Sequence, residues 1–334
     1  MSEVKLPFDL NPLLNTYHHL AHSLGIISGN IPDQSVWFPW FAHKYINCEY
    51  HEIPKVAFVT YSTDRFFVAD GIMDRIQFRI NDVTYEKLFG SPKETFISNV
   101  KKVLNKGLYI QGTYNEKYIS AMPSYQKLDF YHDYLIYGYS DEKKCFYASG
   151  YTTERYFKEY EIPFFEYYDS IFGNPHEYMA FRIIHFNENI VYKTNYSFVI
   201  RELNHYLNCT ATKEEKCDST LYGLSVWEKL IEYLTNAEKI DIRFTKIFME
   251  HHKLMNIRLE YFAKEEMISP NLCEQYNQVF NVSNQAYLLS IKYNLAPKPI
   301  TKESCIKAIT TVIETDKKIL PMVITQIEEK TNVK

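Results

Sequence analysis

Apolar positions recur at three- and four-residue spacing through Leu13, Leu14, Tyr17, Leu20, Ala21, Leu24 and Ile27, which predicts a helix over 12–28. Gly25 and Gly29 are expected to weaken or end it. An aromatic element follows at Trp37-Phe38-Pro39-Trp40, and β-branched and aromatic runs at 56–61 and 65–69 read as strands. A second helix is predicted over 84–106, with Leu88, Phe96, Val100, Val103 and Leu104 on one face and Gly107 as the stop. The pattern then changes. Leu108–Thr113, Asp133–Tyr139 and Cys145–Ala148 are short β-branched or aromatic runs, and the last two, joined by the polar segment Ser140–Lys144, form a β-hairpin. Helix first and antiparallel sheet later is the order of an α+β domain.

From about residue 172 the texture changes again. A strand-like patch (180–187 and 190–192) leads into helical stretches at 196–207, 224–236, 240–266 and 270–293. A last helix runs from Thr301 to about 329, beyond the break at Ala296-Pro-Lys-Pro299. Placing the boundary at Gly173-Asn-Pro175 gives an α+β domain over 1–172 and a mainly helical domain over 173–334.

Composition narrows the function classes. The chain has 334 residues, 46% of them hydrophobic and 23% charged, which fits two globular domains without long disorder. A net charge of −4 leaves no electrostatic footprint for nucleic acid. Ten glycines, where an average usage of about 7% would give roughly 23, disfavour a Gly-rich phosphate-binding fold. Tyrosine is abundant, at 29 residues beside 22 phenylalanines, which suits strands and aromatic-lined pockets. Six cysteines without a CxxC motif point to free thiols in a reducing, cytoplasmic location. The N-terminus lacks an apolar signal-peptide core and no run of 18 apolar residues occurs, so no membrane partner is expected.

The most informative chemistry is in Tyr131-His132-Asp133-Tyr-Leu-Ile-Tyr-Gly-Tyr139 and the return strand Cys145–Tyr151. A histidine entering an apolar strand that hairpins into a second strand resembles the active-site hairpin of papain-like and C39-peptidase-like enzymes. In the second half, Leu203–Leu207, Tyr222–Leu230, Asp241–Phe244 and Glu250–Arg258 are similar to the helical part of the butirosin biosynthesis protein H family. That resemblance implies a papain-like fold and an acyltransferase of nonribosomal peptide or aminoglycoside pathways. The implied partners are an acyl or peptidyl carrier protein with a phosphopantetheine thioester and an amine acceptor; no cofactor or metal is implied. The family chemistry passes through a cysteine acyl-enzyme at the start of the first helix, with a histidine as base. Here Thr16 stands at the cysteine's place, in Asn15-Thr16-Tyr17-His18, and His132 at the base's. The expected catalytic residues are therefore Thr16 and His132. Thr16 is either a weak nucleophile or a helix cap, and His132 either the base or a core histidine bonded to a tyrosine. Ser149 and Thr152 occupy the place where an aspartate or asparagine would orient the imidazole. Two rivals go with these alternatives: a non-catalytic carrier-binding or scaffold subunit, and a thioester or amide hydrolase.

Other polar groups have competing readings. His18 and His22 share a helix face, as a chelating pair would, but no third ligand is evident, and His251 and His252 are adjacent and diverge. No metal is expected. Cys48 and Cys145 are the substitute nucleophiles to consider, Cys145 reading as a small buried apolar residue. Cys209 and Cys217 flank a polar loop and would bridge only in an oxidising compartment. Glu250, His251, Lys253 and Arg258 read as a solvated charged face.

Overall fold

The computed structural model describes residues 2–53, 56–61, 70–79, 92–176, 179–211 and 220–331. Along these the chain forms β1 (Glu3–Lys5), α1 (His18–Asn30), α2 (Gln34–Phe41), β2 (Cys48–Ile53), β3 (Val56–Tyr61), β4 (Met73–Arg79), α3 (Lys93–Asn105) and β5 (Tyr109–Asn115). A single 3-10 turn (Glu116–Tyr118) leads to β6 (Tyr131–Ser140), β7 (Cys145–Tyr151), β8 (Phe157–Pro163), α4 (Phe164–Phe172) and β9 (Ala180–Phe186). The remainder is α5 (Tyr196–Leu207), β10 (Thr220–Tyr222), α6 (Leu224–Asn236), α7 (Ile242–Lys264), α8 (Pro270–Leu295) and α9 (Pro299–Thr331). Helices and antiparallel sheets coexist, so the class is α+β. The strand expected at 65–69 and the first part of the helix expected over 84–106 lie outside the described residues.

Two compact units divide the chain: residues 1–34 with 65–191, and residues 35–64 with 192–334. This differs from a single cut at 172/173. The aromatic segment that begins with α2 joins the C-terminal helices, and the first unit continues through β9, which pairs with both β4 and β5. The strand-like patch expected at 180–187 is β9, and it belongs to the first sheet rather than to a helical domain.

The first unit is built on a seven-stranded antiparallel sheet in the order β4-β9-β5-β6-β7-β8. β1 pairs with the far end of β6, opposite Gly138–Ser140. The pleat sends successive rows to opposite faces. The row Ile110–Ile136–Ala148 joins Phe96, Val100 and Leu104 of α3 and Tyr167 and Ile171 of α4 in one buried cluster. The next row, Gln111–Leu135–Ser149, meets α1 through His22. Four tyrosines of this core are paired hydroxyl to hydroxyl, Tyr134 with Tyr167 and Tyr114 with Tyr160, each at 2.7 Å, and Tyr139 donates to Asn105 Oδ1 at 3.1 Å. Large rings thus enter a dry interior without stranding a polar atom.

α1 begins at His18 rather than at 12, and continues through both glycines. A Cβ on Gly25 would come within 2.5 Å of the Phe8 ring, and one on Gly29 within 2.5 Å of the Phe8 backbone. These glycines mark where the N-terminal segment crosses the helix, with Asp9 N–H donating to Gly25 O at 2.9 Å. They are close-approach positions, not stop signals. Gly107, by contrast, ends α3 at a φ of +76°, in the left-handed region that favours glycine.

The second unit carries a three-stranded sheet, β10-β2-β3, and helices α2 and α5 to α9; all three tryptophans, Trp37, Trp40 and Trp227, belong to it. The expected solvated face on α7 is instead interior: Glu250, His251 and Arg258 are buried. Arg258 donates to Ala42 O at 2.7 Å and to Lys44 O at 2.6 Å, closing the C-terminal end of α2 where carbonyls lack helical partners. Burial lowers its guanidinium to about 10. In the same unit, the fully buried Asp316 accepts from Tyr206 (2.7 Å) and Tyr276 (2.7 Å) and lies 3.1 Å from His252 Nε2. Among the described residues no helix is long and apolar enough to cross a membrane.

Candidate functional site

Strand register positions the histidine singled out from the sequence. β5 and β6 pair antiparallel with Tyr114 opposite His132, and the ladder carries one step further, Glu116 N–H donating to Phe130 O at 2.8 Å. Glu116 is two residues beyond Tyr114, so it returns to the same face as a diagonal neighbour of His132. Asn115, fully buried, fixes this corner. Its Oδ1 accepts from Lys117 N (3.1 Å) and Phe130 N (3.2 Å), and its Nδ2 donates to Asp129 at 2.7 Å. Held this way, Glu116 Oε1 meets His132 Nδ1 at 2.9 Å.

The pair is asymmetric. The Glu116 side chain is 5% exposed and that of His132 39%. A carboxylate on Nδ1 fixes the tautomer with the proton there and leaves the Nε2 lone pair available. Nε2 of His132 has no hydrogen-bond partner among the described residues. A buried acid beside an oriented, partly exposed imidazole is an arrangement that can act as a general base. His132 is thus neither a buried core residue nor bonded to a tyrosine.

The third member is not at the expected positions. Ser149 Oγ is buried without a hydrogen-bond partner among the described residues, and Thr152 Oγ1 accepts from Glu154 N at 3.3 Å in its own loop. Glu116 takes the orienting role. In the sequence its sole signal is that it lies three residues beyond the run expected as a strand at 108–113, whose observed extension to Asn115 pairs with the strand bearing His132.

α1 meets the dyad through a second histidine. The His18 ring lies 4.3 Å, centroid to centroid, from that of His132. Its Nδ1 is 2.9 Å from Asp133 O and its Nε2 takes the Tyr151 N–H at 3.0 Å. The β6–β7 ladder ends at Leu135 opposite Ser149; continued, it would next bring Asp133 opposite Tyr151. His18 is a wedge that bridges two backbone groups of the splayed strands in place of a ladder bond. Gly150 makes room for it: a Cβ there would sit 3.2 Å from His18 Nε2. The carbonyl needs an N–H and the amide needs a lone pair, so the ring is neutral. Burial, with His132 and His22 nearby, drives its basicity well below the usual range. His22 is locked likewise, donating to Ser149 O (3.2 Å) and accepting from Gln111 Nε2 (3.4 Å), and burial lowers it to about 3. The shared helix face of His18 and His22 serves the sheet: all four ring nitrogens are engaged within the protein. Among the described residues no cluster of three or more metal-ligating side chains occurs.

Thr16 stands one residue before the N-cap Tyr17 and is 4% exposed. Tyr17 is extended and makes no side-chain capping bond. Thr16 is two residues from His18, which brings the start of α1 beside the dyad. Neither substitute thiol joins it. Cys145 pairs with Ser140 at the opposite end of β6 from His132, about 27 Å away at roughly 3.4 Å per residue. Burial raises that thiol to about 11. Cys48 belongs to the second unit, is buried, and is pushed well above the usual thiol range by desolvation. Cys217 lies outside the described residues.

His251 and His252 are both buried in the second unit, with rings at 76° to one another. His252 Nδ1 bonds Phe248 O (2.7 Å) and Nε2 faces Asp316, while His251 Nδ1 lies 3.4 Å from the Tyr61 hydroxyl. A scan of the sequence against protein-family models found no match, and none was found among curated proteins.

Proposed function

We propose that the first unit is a papain-like acyl-transfer domain in which the His132–Glu116 dyad is the base, and that it moves an acyl or peptidyl chain from a carrier-protein thioester to an amine. The observation that carries this reading is the buried Glu116 carboxylate on Nδ1 of an imidazole that is itself 39% exposed and whose Nε2 has no hydrogen-bond partner among the described residues. The hairpin resemblance agrees with it, since the base is on the expected strand beside the start of the early helix.

The route favoured by burial is direct. The amine nitrogen attacks the thioester carbonyl as His132 Nε2 takes its proton. The C–N bond forms, the C–S bond breaks, and the imidazolium returns the proton to the departing thiolate. Glu116 stabilises the transient charge on His132 and holds the proton on Nδ1. No enzyme nucleophile is required, which accords with a threonine at position 16 that is 4% exposed. A threonine alkoxide would also be far harder to form than a thiolate.

The test is single-turnover transfer from an acyl-carrier thioester to a primary amine, read by mass spectrometry of product and protein. His132→Ala and Glu116→Gln each lower the rate by about 100-fold or more, Thr16→Val leaves it unchanged, and no acyl adduct forms on the protein. An adduct on Thr16, or activity lost in Thr16→Val alone, replaces the direct route by a covalent one. Carrier binding without turnover in the wild type refutes the enzymatic reading in favour of a scaffold subunit.

A further inference from the structure

Helices α5 and α9 of the second unit border an open groove of about 530 Å³, a volume in the usual range of small-molecule sites. Its α5 side is a helix end: Asn204 and Leu207 stand in the last turn and Asn208 is the C-cap. The carbonyls of such an end carry a partial negative charge, which favours a cation. Across from it, α9 presents Lys317, Pro321, Ile324 and Glu328 at helical spacing, with Thr325 beside them.

The hydrogen bonds sort these polar groups by chemistry. Asn204 Nδ2 donates to Ile200 O at 3.0 Å and Asn208 Nδ2 to Asn204 O at 2.8 Å. Both asparagines are exposed, and with each amide nitrogen turned back onto its own helix, Oδ1 is the polar end left over, an acceptor. Thr325 likewise spends its proton on Pro321 O at 3.1 Å. Pro321 lacks the N–H that would bond the Lys317 carbonyl four residues back. Residues 317 and 321 both border the groove, so that carbonyl lies on the face they share. Glu328 is half-buried and forms no ion pair among the described residues. The one cation of the lining, the Lys317 ammonium, is matched by Glu228 at 3.1 Å. Acceptors and an unmatched carboxylate thus surround the hydrocarbon of Leu207, Pro321 and Ile324.

We infer that this groove binds a short aliphatic diamine or polyamine. One ammonium pairs with Glu328, the remaining donors are shared among Asn204, Asn208 and the Lys317 carbonyl, and the methylenes lie over Leu207, Pro321 and Ile324. The site stands independently of the acyl-transfer reading.

The test titrates full-length protein, labelled at isoleucine methyls and asparagine side chains, with cadaverine and with the terminal pentanediol of the same chain length, at constant ionic strength. Cadaverine shifts the Ile324 methyl and the Asn204 and Asn208 amide signals at millimolar concentration. It binds about fivefold tighter than the diol, the size of a partly exposed ion pair. In Glu328→Gln that preference disappears while the diol binds as before. Pro321→Ala returns an N–H to the Lys317 carbonyl and weakens cadaverine about threefold, the size of one hydrogen bond. Cooperative melting near the wild-type temperature shows that both variants are folded. Equal affinity for diamine and diol, shifts confined to residues outside the groove, no shift at tens of millimolar ligand, or variants that bind cadaverine as the wild type does would each overturn the assignment.

Discussion

Replacing His18 should expose how α1, the hairpin and the base depend on one ring. In His18→Ala, Asp133 O and Tyr151 N–H lose their common partner. Each buried backbone group left unmade costs about 1–3 kcal/mol, so the two together cost about 2–6 kcal/mol before any cavity contribution. The pH dependence is more diagnostic. His18 is neutral in the fold and held well below its ordinary range, chiefly by burial, whereas in the unfolded chain it titrates near about 6.5. The unfolded state therefore binds the proton first. Stability from this group is complete above that pH and is lost as the pH falls toward the folded value, by about 1.4 kcal/mol per unit. While His18 stays neutral, the loss from about pH 7.5 to about pH 5.0 is about 2 kcal/mol, or roughly a 30-fold fall in protection. The reporter is hydrogen exchange of the Tyr151 amide, the proton that His18 Nε2 accepts. Corrected for intrinsic rates, its protection should fall with acid in the wild type. His18→Gln keeps an acceptor and a donor but cannot titrate, so only the slope due to His22 should remain. Unchanged Tyr151 protection in His18→Ala, or the same acid slope in His18→Gln, would refute the wedge.

Further outcomes follow from other contacts. Gly29→Ala should destabilise the first unit by about 1–3 kcal/mol in chemical denaturation, because its Cβ meets the Phe8 backbone. Asp316→Ala should cost about 3–5 kcal/mol in urea titrations followed by tryptophan fluorescence, since Tyr206, Tyr276 and His252 lose a fully buried acceptor. Among the described cysteines, a thiol reagent at pH 8 should reach Cys209 first. Cys48, Cys145 and Cys305, all buried and with thiols raised, should react only on unfolding.

What the sequence disclosed divides along physical lines. Helices set by local periodicity were legible: the expected 196–207 and 224–236 are the observed bounds of α5 and α6. The hairpin was also legible, because its turn is local. Features made by distant segments were not. Gly25 and Gly29 face Phe8, which no periodicity brings to mind as their neighbour. Arg258 reads as surface charge until the end of α2 supplies its carbonyls. The candidate site shows the same split. His132 stood out from its strand, but Glu116 becomes its partner only through the β5–β6 register, and His18 becomes a bridge only because the β6–β7 ladder stops where it does.

The assignment of residues 35–64 to the second unit bears on how the chain is made. On a ribosome this aromatic segment emerges before most of the first unit and long before α5 to α9, against which it belongs. The first unit can close once residue 191 is out, while Trp37, Phe38, Trp40 and Phe41 await partners still to be synthesised. During that interval the nascent chain presents an apolar segment of the kind that holdase chaperones bind. A stop after residue 191 would leave that segment permanently orphaned, so excising it, rather than simply truncating, is the way to isolate the first unit.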